Sequence, residues 1–107
     1  MPTRCLRLYL FQMPEAINQQ DVWTRRATLA WRRVGDEAVV LDIQGKILRG
    51  LNLTAWHVWE MLDGTHSLGE VTADVATTFG ISDERSAGDV FAFVAELQRA
   101  DLIERVR

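Results

Sequence analysis

A chain of 107 residues has room for one hydrophobic core and not for two, and 48% apolar with 25% charged residues is the balance of a soluble globular protein. The net charge of −3 hides an asymmetry: residues 1–33 carry six Arg against Glu15 and Asp21, whereas residues 34–107 carry six basic and thirteen acidic groups. An acidic body suits a phosphate backbone poorly, and a single cysteine excludes an intrachain disulfide.

Residues 1–26 hold both prolines and the polar run "EAINQQD", so they read as an N-terminal arm or extra strand ahead of a domain over 27–107. Within the arm Leu6, Leu8 and Leu10 alternate with Arg7 and Tyr9, as a short strand would. The run "CLRLYLFQM" is too short to span a membrane and lacks a signal-peptide cleavage site. A cytoplasmic location is the resulting expectation. Cys5 has no Cys or His near it at metal-ligand spacing and reads as an ordinary reduced thiol.

From residue 28 the punctuation is clear. "TLAWRRV" and "EAVVLDI" are rich in strand formers and are separated by Gly35-Asp36; "KILRGL" follows Gln44-Gly45. A three-stranded antiparallel meander is expected. In its second strand Val39, Leu41 and Ile43 share one face and Ala38 and Val40 the other, as suits a strand flanked on both sides. The third strand, with Lys46, Arg49 and Gly50, is polar enough for an edge. Trp31 in the first strand and Trp23 before it are expected to pin the arm to the sheet.

Three helices should follow. Asn52 is a good N-cap for the first, whose Ala55, Val58, Trp59 and Leu62 form an apolar stripe before Asp63-Gly64 stops it. Trp59 is expected in the core; Trp56 is open between core, rim and partner contact. Ser67 and Glu70 form a capping box for the second helix, with Leu68, Val71, Val75 and Phe79 buried, and Gly80 ends it. Ser82, Asp83 and Glu84 start a third helix that runs to about Ala100, with Ala87, Val90, Phe91, Val94 and Leu97 inward. The fold class is α+β: a three-stranded antiparallel sheet followed by a three-helix bundle, in a winged helix-turn-helix-like arrangement.

The spacing of Ala76, Gly80 and Ser82 resembles a helix-turn-helix, which explains packing and says nothing of DNA. A recognition helix presents cations and amides to base edges, whereas the third helix carries Asp83, Glu84, Asp89 and Glu96 against Arg85 and Arg99, with its acidic turn first. Catalysis fares no better. His66 reads as a turn residue, and His57 as a solvated helix position whose pairing with Glu60 lacks further metal ligands. No nucleophile elbow or glycine-rich phosphate loop is present. The chain is expected to be no enzyme and to need neither cofactor nor metal.

In order and spacing, "WRRVGDEAVVLDI", "GKILRGLN", "TAWHVWEMLDGTHSLGEV" and "GDVFAFVAELQRADLIE" resemble the PqqD-like proteins over about residues 28–104. These are the peptide-recognition elements of ribosomally synthesised and post-translationally modified peptide (RiPP) pathways. The resemblance implies a noncatalytic peptide chaperone. A precursor's leader peptide adds as a further strand to the third strand, lodges apolar side chains against the third helix, and is presented to a modifying enzyme. That enzyme is a radical SAM maturase, a leader peptidase or a cyclase, in RiPP or pyrroloquinoline quinone (PQQ)-type biosynthesis.

Carried onto this chain, the resemblance points to Ile47, Leu48, Arg49, Gly50 and Leu51 on the strand and to Arg85, Ser86, Asp89, Val90 and Phe93 on the helix. Phe93 is divided evenly between leader anchor and core. Gly50 is divided between close approach of a peptide backbone and a bulge. The chain departs from the family pattern in "ILRG" where an aromatic is usual, in Leu53 where Pro often follows the Asn, and in Asp101 where Gly is usual. Strand addition needs no nucleic acid and no membrane, and an exposed edge also permits a homodimer. The rival readings are a winged-helix DNA-binding regulator and a structural subunit of an enzyme complex.

Overall fold

The computed structural model describes residues 17–107 apart from Ile43; the Cys5 thiol, the alternation of Leu6, Leu8 and Leu10, and the placing of Ile43 on a sheet face lie outside the described residues. The described elements are β1 (Val22–Arg25), β2 (Ala30–Val34), β3 (Glu37–Leu41), β4 (Ile47–Leu51), α1 (Leu53–Met61), β5 (Asp63–Ser67), α2 (Leu68–Phe79), α3 (Asp83–Arg99) and β6 (Ile103–Arg105). Together they make a mixed α+β fold with two antiparallel sheets, ordered β2-β3-β4 and β5-β1-β6.

The meander forms where the turn signals place it. Val34 pairs with Glu37 across Gly35-Asp36, with Gly35 at φ 61, a left-handed conformation that glycine adopts without a Cβ clash. On central β3, Ala38 and Val40 are buried toward the helices, while Val39 and Leu41 are half-buried on the other face. Between Val40 and Leu41 the β3–β4 register shifts: Val40 faces Arg49 but Leu41 faces Ile47, so Leu48 is the extra residue of a bulge.

All three helices begin on expected caps. The Asn52 side chain accepts from the Ala55 amide at 2.8 Å, Ser67 and Glu70 close their capping box, and the Ser82 hydroxyl accepts from the Arg85 amide at 3.1 Å. Val58, Trp59 and Leu62, then Leu68, Val71 and Val75, then Val90, Val94 and Leu97 meet Val40 and Leu51 in one core. Phe79 and Phe91 pack at its margin rather than inside it. Asp101 takes φ 63, the conformation for which glycine is the usual residue, and its carboxylate pairs with Arg26 at 2.6 Å.

The second sheet corrects the sequence reading. The first helix does stop ahead of Asp63-Gly64, at Met61, but His66, expected in a turn, lies in β5, where Asp63–Ser67 run against β1. The local chemistry does resemble a turn, because the Asp63 carboxylate accepts from both the amide and the hydroxyl of Thr65. What makes the segment a strand is a partner far upstream in the sequence. Trp23, of the arm, sits in β1 at 2% exposure, within the core that Ala38 and Val40 of the meander share.

His57 also differs from its expected solvated position. Its ring bonds to the Asp74 carboxylate and stands edge-on to Phe79 with centroids 5.6 Å apart, which ties α1 to α2. Among the described residues no helix is long and apolar enough to cross a membrane.

Candidate functional site: the β4 edge and its cleft

Sheet order leaves one side of β4 without a strand among the described residues, so its main-chain groups on that side are open to pairing. Beside this edge lies a cleft of about 420 Å³ between β4, the start of α1 and one face of α3. Ala55 and Val58 of α1 and Val90 and Phe93 of α3 give it an apolar lining.

Its charged rim is built by periodicity. Arg85, Asp89, Phe93 and Glu96 recur at helical spacing and therefore share the face of α3 that lines the cleft. Arg85 and Asp89 approach to 3.7 Å at one end. At the other, Arg49 reaches across from β4. Because Arg49 faces buried Val40 on the neighbouring strand, its side chain lies on the helix side of the sheet. Its Nη2 meets Glu96 Oε1 at 2.5 Å, and its guanidinium sits 5.5 Å from the Phe93 ring centre.

The residues carried over from the resemblance therefore separate into groups. Arg49, Arg85, Asp89, Val90 and Phe93 are brought together around the cleft, with Val90 buried at its floor and Phe93 half-buried at its wall. Ile47 and Leu48 stand 63% and 41% exposed at the strand edge, outside the core cluster of the described residues. Leu51 is buried in the core. Gly50 faces Val39, hence the sheet side away from α3, and a Cβ there would meet nothing within 4 Å. The bulge falls at Leu48, not at Gly50.

Ser86 does not join the cleft. It is fully buried, and its hydroxyl donates to the Thr72 main-chain oxygen of α2 at 2.7 Å. Sequence reasoning in turn missed Ala55 and Val58 as lining residues, having placed both on the core stripe, and it did not single out Glu96. The spacing of Glu96 from Asp89 and Phe93 was the available signal.

No group of three His, Cys, Asp or Glu side chains among the described residues is placed to hold a metal ion. The acidic first turn of α3, Asp83 and Glu84, is exposed.

The family model described as coenzyme PQQ synthesis protein D (PqqD) matches residues 37–103, from the first residue of β3 to the first of β6. The chain belongs to the PqqD family. The match leaves out β1 and β2, so those two strands are structure outside the family model. A solved structure, "TbiB1 in Complex with the TbiA(beta) Leader Peptide", shares the fold with a TM-score of 0.66. It is 20% identical, and the alignment covers 76% of this chain and 94% of that one. No curated protein matches the chain.

Proposed function

We propose that this PqqD-family protein is a noncatalytic recognition element that binds the leader of a ribosomally made precursor peptide by strand addition and presents it to a modifying enzyme. The observation that carries the reading is the juxtaposition of a β4 edge, with which no described strand pairs, and a cleft lined in part by Val58, Val90 and Phe93. Main-chain pairing to an edge requires no particular side chain, so it supplies affinity, while side chains that enter the cleft supply specificity. The fold shared with TbiB1, which was solved with a leader peptide, supports the same reading. The modifying enzyme is a radical SAM maturase, a leader peptidase or a cyclase, and the site of action is the cytoplasm.

Binding of this kind falls between micromolar and nanomolar, about 8–12 kcal/mol. The test is a fluorescence-anisotropy titration of a labelled leader segment, combined with amide hydrogen exchange. Saturable binding with added protection across Ile47–Leu51 is expected. Binding that leaves the β4 amides unprotected, or no binding of any precursor leader tested, overturns it.

A further inference from the structure

We infer that the Arg49–Glu96 pair is a charged selector at one end of the cleft, which favours peptides carrying Asp or Glu two positions after an apolar anchor. The inference rests on the strand-addition reading and specifies what the added strand must contain.

A guanidinium has five N–H donors, and among the described residues Arg49 makes one ion pair, through Nη2 to Glu96, and one ring contact, with Phe93. In the free protein water completes the set, since the Arg49 and Glu96 side chains are 38% and 44% exposed. A strand laid along β4 covers this end and removes that water. The remaining donors then need an acceptor, and a buried charge left short of partners is costly.

Geometry says which peptide residue supplies it. Arg49 projects to the α3 side of the sheet, and a residue directly opposite it on an added strand projects to that same side. A carboxylate there offers two oxygens to the planar fork. An ammonium at the same place meets Arg49 first and is repelled. The residue opposite Leu51 also points to the helix side, beside the Ala55, Val58 and Val90 lining, and is therefore apolar. In an antiparallel strand that residue precedes the one opposite Arg49 by two, which sets the order apolar, any, acidic.

Glu96 has a distinct part. It holds Arg49 in place when the cleft is empty and competes with the peptide carboxylate for the same guanidinium when the cleft is filled. The two members of the pair thus have opposite effects on binding, which a purely structural salt bridge does not produce.

The test is selection of a randomised peptide library displayed on phage against the full chain, followed by anisotropy titration of the best acidic peptide and its amide counterpart. Enrichment of Asp or Glu two residues after an apolar position is expected. Arg49→Gln should weaken the acidic peptide about tenfold and bring it level with the amide peptide, whereas Glu96→Gln should tighten it about threefold. Circular dichroism melts verify that both variants fold. Selected peptides without an acidic preference, or a Glu96→Gln variant that binds more weakly, overturn the inference while leaving strand addition intact. Peptide binding that leaves the Ile47–Leu51 amides unprotected from hydrogen exchange overturns the strand-addition reading, and the selector with it.

Discussion

Trp31 stands edge-on to Trp59, with ring centroids 5.7 Å apart and planes at 79°. Trp59 is completely buried and belongs to α1, while Trp31 lies on the outer strand of the meander with Arg25 of β1 stacked 4.4 Å from its ring centre. Arg25 also donates from Nη1 to the Trp59 main-chain oxygen at 3.2 Å, near the end of α1. Burial lowers the Arg25 pKa from its ordinary value, and Asp63 and Glu60 oppose that shift. One column of side chains therefore joins both sheets to the helix that lines the cleft.

This column predicts an unequal response to truncation. Trp59→Ala removes a fully enclosed ring and is expected to cost about 3–5 kcal/mol. Trp31→Ala removes one edge contact and a cation–π partner, and should cost about 1–2 kcal/mol. Urea unfolding followed by circular dichroism checks the pair. Equal losses would show that the outer strand is as firmly enclosed as α1.

At the cleft, Phe93→Ala and Leu48→Asp should each weaken leader binding about tenfold or more while the thermal midpoint moves by only a few degrees. Phe93 is half-buried and Leu48 is an exposed bulge residue, so neither supports the core in the way Val90 does. Calorimetric titration measures the affinity. Unchanged affinity for both variants would sink the cleft assignment.

The meander, the caps and the three buried helical stripes were legible because each is written within a few residues: β-branched runs between glycine turns, a side-chain oxygen three residues before the amide it accepts from, apolar positions at helical period. The second sheet was not. Its three strands are four, five and three residues long, and they come from widely separated parts of the chain. Asp63–Ser67, moreover, has the composition of a loop. The cleft was legible in part for the same reason. Periodicity puts Asp89 and Phe93 on one face of α3, but only the packing shows that Ser86 turns toward α2 and that Glu96 meets Arg49 from the sheet.

Ser86 gives the converse test. Its buried hydroxyl donates to the Thr72 carbonyl, so Ser86→Ala removes a buried hydrogen bond and is expected to cost about 1 kcal/mol of stability. Leader affinity should be unchanged, because the side chain faces the α2–α3 contact rather than the cleft. Denaturant midpoints and anisotropy measured on the same preparation separate the two effects. A stable variant that loses binding would return Ser86 to the recognition surface.

Acid stability should depend on Asp63. The Thr65 hydroxyl, first among several donors that include the Thr65 amide and His66, holds the Asp63 carboxyl below its ordinary value, although burial opposes the shift. A depressed carboxylate binds its proton less tightly in the folded than in the unfolded chain. Its stabilising contribution is therefore complete above the ordinary carboxylate range and is lost as pH falls through the folded value. Asp63→Asn should flatten the acid limb of a plot of denaturant midpoint against pH and leave the slope near neutrality unchanged. Because the side chain is about one-third exposed, the effect should be modest and should diminish in high salt. An acid limb identical in the two proteins would mean that the β5 turn does not hold its bonds to the ionised carboxylate in solution.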